Sequence, residues 1–174
     1  TSSGVQYEYV SAVVRDVSPW SGPEQGGTLV TISGVHLGEV AVSCRFGVGE
    51  EDVSASSHGA ESVRCVSPPS ATGWSSLELL SSGETLRSGG SFLYHASMWV
   101  SAVAPLLGPV EGGTRLTLLG AHFRDSATLR CRFEESGSTS VARYLGSSQL
   151  ECATAVQAGA GARAVEVSLN GQQF

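Results

Sequence analysis

The chain has 174 residues, 22 glycines and a formal net charge of −6 at pH 7, a length that fits one large domain or two small ones. All ten basic residues are arginine, scattered from Arg15 to Arg163; that is a poor footprint for wrapping phosphates, so no nucleic-acid partner is expected. No run of about 18 apolar residues is present, so contact with a membrane is expected only through parts of a parent chain outside this segment.

The chain opens with Gly4-Val5-Gln6-Tyr7-Glu8-Tyr9. This segment stands before Val13 as Phe92-Leu93-Tyr94 stands before Trp99, so residues 1–12 are read as the closing strand of a preceding repeat. The repetition itself is plain from residue 17 onward. Residues 17–34 (VSPWSGPEQGGTLVTISG) align with residues 103–120 (VAPLLGPVEGGTRLTLLG) at an offset of 86, with Pro, Gly-Pro, Gly-Gly-Thr and the final Gly in register. Internal repeats take precedence over other guesses about fold. The predicted organisation is therefore one repeat over residues 13–96 and a second over residues 97–174, the second lacking its last strand, as in a longer array cut out of phase with its repeats.

Within each copy, Gly22-Pro23 suits a turn and Gly26-Gly27 lets the chain reverse into a strand beginning at Thr28. No following helix and no lysine is present to make this a phosphate-binding loop. Val30 and Ile32 match Leu116 and Leu118, while Leu29 is replaced by Arg115. A two-residue period with one constant face and one variable face predicts a half-buried strand. The same comparison places Val42, Cys44 and Phe46, with Leu129, Cys131 and Phe133, on inner faces, and turns Arg45 and Arg132 outward. Val63 and Cys65 match Leu150 and Cys152, and Leu77-Glu78-Leu79 matches Val165-Glu166-Val167. The first copy then closes through Gly89-Gly90-Ser91-Phe92-Leu93-Tyr94.

The four cysteines fall in two pairs, each 21 residues apart. Four cysteines allow three connectivities; one bond within each repeat, Cys44 to Cys65 and Cys131 to Cys152, is expected. A loop of that size is worth about 3 kcal/mol in the chain-entropy account, and such bonds persist in oxidising compartments.

The run from Pro19 to Gly34, with Gly22-Pro23, Gly26-Gly27-Thr28 and the closing Gly34, resembles the opening of the immunoglobulin-like IPT/TIG domains shared by plexins and transcription factors. Pro105 to Gly120 resembles it equally, so the likeness covers nearly the whole chain twice. It implies an all-β fold of tandem immunoglobulin-like β-sandwiches of the early-set type. It also implies membership of a large extracellular or cell-surface protein in which such repeats act as spacers and binding modules. One departure is His36, matched by His122, where the family usually carries Asn; a role in capping a loop or packing beside a strand end is expected of both.

No catalytic site is expected: no GxSxG elbow is present, and no HxH, HExxH or CxxC pattern marks a metal site, so neither a metal nor another cofactor is anticipated. Glu50-Glu51-Asp52 and Glu134-Glu135 are read as solvated loop tips, and His58 and His95 have no partner at ligand spacing. Weak binding candidates are Arg45, Arg64, Arg130 and Arg132, placed to meet acidic partners or glycans. Trp20 and Trp99 are candidates for packing at the repeat junction, where residues 95–102 are too short and apolar for a free coil, so successive repeats are expected to hold a restricted angle. Asn170 is followed by Gly171 and Gln172, so no N-glycosylation signal exists. The leading functional expectation is a structural and adhesive module contacting proteins, neighbouring repeats or copies of itself, with a surface filament among the settings that fit. Strand donation by residues 7–9 to the second repeat of the next chain is the form of self-association expected. The alternatives are a receptor-ectodomain stalk and an intracellular DNA-binding immunoglobulin-like domain.

Overall fold

The computed structural model describes residue 4 and residues 12–37, 43–134 and 137–174. Val42, Glu135 and all of the proposed closing strand at residues 1–12 except Gly4 and Ala12 therefore lie outside the described residues. The chain forms two compact units. One is drawn from the described residues of Thr1–Ser21, Leu29–Pro68 and Gly73–Tyr94, and the other from Gly22–Thr28, Pro69–Thr72 and His95–Phe174.

Sixteen strands account for the regular structure among the described residues. In chain order the first nine are β1 (Val13–Ser18), β2 (Ser21–Pro23), β3 (Leu29–Val35), β4 (Ser43–Phe46), β5 (Asp52–Ser54), β6 (Ser56–Ser57), β7 (Ser62–Val66), β8 (Gly73–Ser81) and β9 (Glu84–His95). They are followed by β10 (Trp99–Ala104), β11 (Arg115–Ala121), β12 (Arg130–Phe133), β13 (Thr139–Val141), β14 (Arg143–Gly146), β15 (Gln149–Ala153) and β16 (Val165–Ser168). The first sandwich packs a sheet of order β1-β3-β7-β6 against one of order β2-β9-β8-β4-β5. The second packs β10-β11-β15-β14 against β13-β12-β16. All the pairings in register are antiparallel, as expected of sheets with one buried and one wet face.

The two-residue period in the sequence is the period of burial. Val30 and Ile32 are fully buried and oppose Cys65 and Val63, while Leu29 between the sheets' inner positions is 40% exposed. In the second unit Leu116 opposes Cys152 and Leu118 opposes Leu150, all four buried. Phe46, Phe92 and Tyr94 form an edge-to-face cluster in the first core, with Phe92 and Tyr94 rings 5.0 Å apart. Such arrangements set the positive ring edge against the negative ring face. Burial pushes the Tyr94 phenol up to about 12, with the charge of Glu50 adding to the effect.

Two shared backbone devices fix how each sandwich begins. Where β1 meets β3 the register shifts between Val14 and Asp16, and where β10 meets β11 it shifts between Val100 and Ala102. Beside this bulge the chain passes so close to Gly34 that a Cβ there would land on the Val13 carbonyl oxygen; at Gly120 it would land on the Trp99 carbonyl oxygen. Two residues on, His36 and His122 adopt left-handed backbone conformations, with φ of 56° and 64°. Asparagine and histidine tolerate this region better than most side chains, which explains why histidine stands where asparagine is usual. The turn that follows sends Leu37 and Phe123 into the two cores, where they are 0% and 1% exposed.

Two outcomes are expected. Gly34→Ala or Gly120→Ala forces the bulge apart and lowers the unfolding free energy of its unit by about 1–3 kcal/mol, read by urea denaturation. Because the folded Tyr94 phenol resists ionisation, the unfolded chain loses its proton first above pH 10. Stability therefore declines as pH rises from about 10 towards 12, and Tyr94→Phe flattens that part of the pH profile.

Candidate functional site

The most constrained chemistry in each unit is the cystine. Cys44 on β4 is bonded to Cys65 on β7, with the Cα atoms 6.3 Å apart, and Cys131 on β12 is bonded to Cys152 on β15, with Cα atoms 6.4 Å apart. Each bond joins the two sheets of one sandwich, because β4 and β7, like β12 and β15, belong to opposite sheets. All four cysteines are buried, and no free thiol is present among the described residues. A bond so enclosed is shielded from attack by external thiolates.

On the outer face beside each cystine lies an ion pair. Arg45 donates from Nε to Asp52 Oδ1 at 2.8 Å, with Nη2 2.7 Å from the same oxygen, and its Nη1 lies 3.8 Å from Glu78 Oε2. Arg132 repeats the arrangement with Glu166, its Nε and Nη2 standing 2.8 and 2.7 Å from Oε2. The register supplies the partners, since Arg45 opposes Asp52 on β5 and Glu78 on β8, and Arg132 opposes Glu166 on β16. Arg132 also covers the ring of Phe174, with its guanidinium carbon 4.2 Å from the centroid. These two arginines satisfy carboxylates of their own unit. Asp52, read from the sequence as part of a solvated loop tip, is thus an ion-pair partner on β5.

The other two arginine candidates are placed differently. Arg130 donates from Nη1 to the Ala127 and Leu129 carbonyls at 3.2 and 2.9 Å, which holds it against its own loop. Arg64 lies on β7 opposite Thr31 and Ser56, and its Nε is buried without an acceptor. The structure therefore does not gather the four arginines into one patch. Among the described residues no group of three or more His, Cys, Asp or Glu side chains is arranged to hold a metal. No helix among them is long and apolar enough to cross a membrane.

Exposed apolar surface supplies the remaining candidates. Trp20 stacks on Trp74 of the same unit, with ring centroids 5.9 Å apart and planes 17° from parallel, and both indoles remain more than half exposed. The pairing follows from the sheet: the Leu93 amide donates to the Trp20 carbonyl, and Trp74 of β8 opposes Leu93 of β9, so both indoles flank one position of β9. Trp99 starts β10 opposite Ala121 and is 55% exposed. Trp74 was not singled out by its sequence context. The signal that finds it is the comparison of copies, because Trp20 and Trp74 are replaced together, by Leu106 and Ala162. In the second unit a groove of about 510 Å³ opens beside β16, with Leu106 and Leu107 exposed at its lip.

Comparison with known proteins accords with this architecture. A family model described as the IPT/TIG domain matches twice, over residues 12–94 and 99–174. Plexin-A2 of Mus musculus is 30% identical over 156 residues, and plexin-A2 of Homo sapiens 29% identical over the same length, each covering 87% of this chain. The chain spans 8% of the length of these curated relatives. Among solved structures, the full extracellular region of plexin A4 superposes with a TM-score of 0.63 at 20% identity, covering 91% of this chain and 14% of that one.

Loss of either cystine is expected to be felt mainly in its own unit. Replacing Cys131 and Cys152 together by alanine should cost the second sandwich about 3 kcal/mol. The check is equilibrium unfolding followed by hydrogen exchange, with the amides of β3 and β7 in the first unit keeping their protection.

Proposed function

This chain belongs to the IPT/TIG family, and from that premise we propose that it is a non-catalytic spacer and protein-contact module of a larger extracellular or cell-surface protein. The observation that carries the reading is the repeated inter-sheet cystine, one per sandwich and buried in both. A small sandwich has little core with which to oppose the entropy of the unfolded chain, and a stable cystine requires an oxidising compartment. The similarity to plexin-A2 over 87% of the chain favours, among such proteins, the stalk of a receptor ectodomain.

The surface chemistry fits a module that is held rather than one that turns over substrate. The arginines nearest each cystine are engaged with their own carboxylates, and pairs of this exposure contribute about 0–1 kcal/mol to stability. What is left for recognition is exposed strand edge and aromatic surface, the features by which sandwich domains commonly meet other proteins. The net charge of −6 and the dispersed arginines weigh against the intracellular DNA-binding alternative.

The deciding experiment is to produce the chain with and without passage through an oxidising secretory compartment and to map its disulfides by mass before and after reduction. The expected result is soluble protein with the Cys44–Cys65 and Cys131–Cys152 bonds from the oxidising route, and poorly folded protein from the reducing one. Stable, fully folded protein with four free thiols, able to retard duplex DNA in a salt-sensitive manner, would overturn the reading.

A further inference from the structure

The outer face of the first unit's larger sheet carries two indoles that the fold does not call for. Trp20 and Trp74 stack with centroids 5.9 Å apart, yet they remain 52% and 66% exposed. The second sandwich forms with Leu106 and Ala162 at the aligned positions. Tryptophan held in a fixed position at the surface, without a demand from the core, is the side chain most enriched at the energetic centre of protein contacts.

Carboxylates gather at the same end of this sheet. On β8 the inward Leu77 and Leu79 leave Trp74, Ser76 and Glu78 facing outward. The turn between β4 and β5 begins level with this row, because the Gly47 amide donates to the Ser76 carbonyl at 2.8 Å. Glu50 folds back over it: a Cβ at Gly47 would meet Glu50 Cγ at 3.0 Å and the Oγ of Ser75, the neighbour of Trp74, at 3.1 Å. The charge of Glu50 also reaches the phenol of Tyr94, which opposes Gly73 on the other side of Trp74. Glu50 and Glu51 are exposed and join no ion pair among the described residues. Val48, at the tip of the same turn, is 93% exposed. With Asp52 and Glu78, four carboxylates stand here against the guanidinium of Arg45, which Asp52 and Glu78 already engage.

Indole faces beside unneutralised carboxylates are complementary to a cation. A guanidinium suits them best, since its plane stacks on an aromatic face while its donors reach carboxylate oxygens in a fork. We propose that this face docks an arginine-bearing segment of a partner protein, with the guanidinium laid on the open indole surface and its donors turned towards Glu50 and Glu51. Val48 supplies apolar contact beside that anchor, and the net charge of −6 draws a basic partner in from a distance. The inference rests on the protein-contact reading above and adds the chemistry of the partner.

The test uses the intact, oxidised chain with both cystines verified by mass, so its failure is distinguishable from failure of the extracellular reading. The indole Nε1–H signals are followed by NMR while a blocked hexapeptide of alternating arginine and serine is added. The Trp20 and Trp74 signals are expected to shift together and saturate, while that of Trp99 in the second unit stays in place. The same peptide with lysine for arginine should bind more weakly. Trp20→Leu combined with Trp74→Ala, the side chains the second copy carries there, should weaken binding at least about fivefold. Glu50→Gln combined with Glu51→Gln should weaken it at least about twofold. The amides of β3 and β7 report that the first sandwich is intact in each variant, and the titration of the unaltered chain decides the matter if a variant does not fold. Indoles that do not shift at the highest soluble peptide concentration, or binding that both variants leave unchanged, as general charge attraction would, overturn the proposal. So does a neutral glucose oligosaccharide that moves the two indole signals where the arginine peptide does not.

Discussion

Each sandwich depends on one covalent tie between its two sheets. Cys44 and Cys65, like Cys131 and Cys152, sit at fully inward positions of facing strands, so the bond fixes the distance between the sheets and, with it, the register in which their side chains meet. Around it the cores are small. In the first, Val30, Ile32, Val63 and the aromatic cluster of Phe46, Phe92 and Tyr94 share one buried core with the cystine; in the second, Leu116, Leu118, Leu150 and Phe133 do so. Such a core leaves little margin against chain entropy, and about 3 kcal/mol from loop closure is a large part of the total.

The same placement organises the outer surface. A residue next to an inward cysteine must point outward, which is why Arg45 and Arg132 emerge beside the cystines and meet Glu78 and Glu166 from the neighbouring strand. The charge on this face is largely satisfied within the unit. The exposed apolar surface is where the two copies differ: a stacked Trp20–Trp74 pair beside β9 in the first, and a groove bordered by Leu106 and Leu107 in the second.

Much of the fold was legible because the chain is its own alignment. Substitutions between the copies marked inner and outer positions, and Val30, Ile32, Cys65, Leu116, Leu118 and Cys152 are buried where that comparison placed them. Leu37 and Phe123 escaped it, since the alternation breaks at His36 and His122, whose left-handed backbone redirects the following side chain into the core. The arginine candidates were legible only as outward positions. Whether an outward arginine is free or engaged depends on the residue across the strand pair, which sequence spacing does not reveal.

The sequence by itself determined the repeat, the strand periodicity, the all-β class and the cysteine spacing, because these follow from local steric preference and from which side chains water excludes. Only the tertiary structure decided that each cystine crosses between sheets, that Arg45 pairs with Asp52 and Arg132 with Glu166, and that Trp20 meets Trp74. Those contacts join residues from different elements of the chain, in the case of Trp20 and Trp74 more than 50 positions apart. Their existence depends on sheet order and register, which are set by the packing of the whole sandwich rather than by any segment of it.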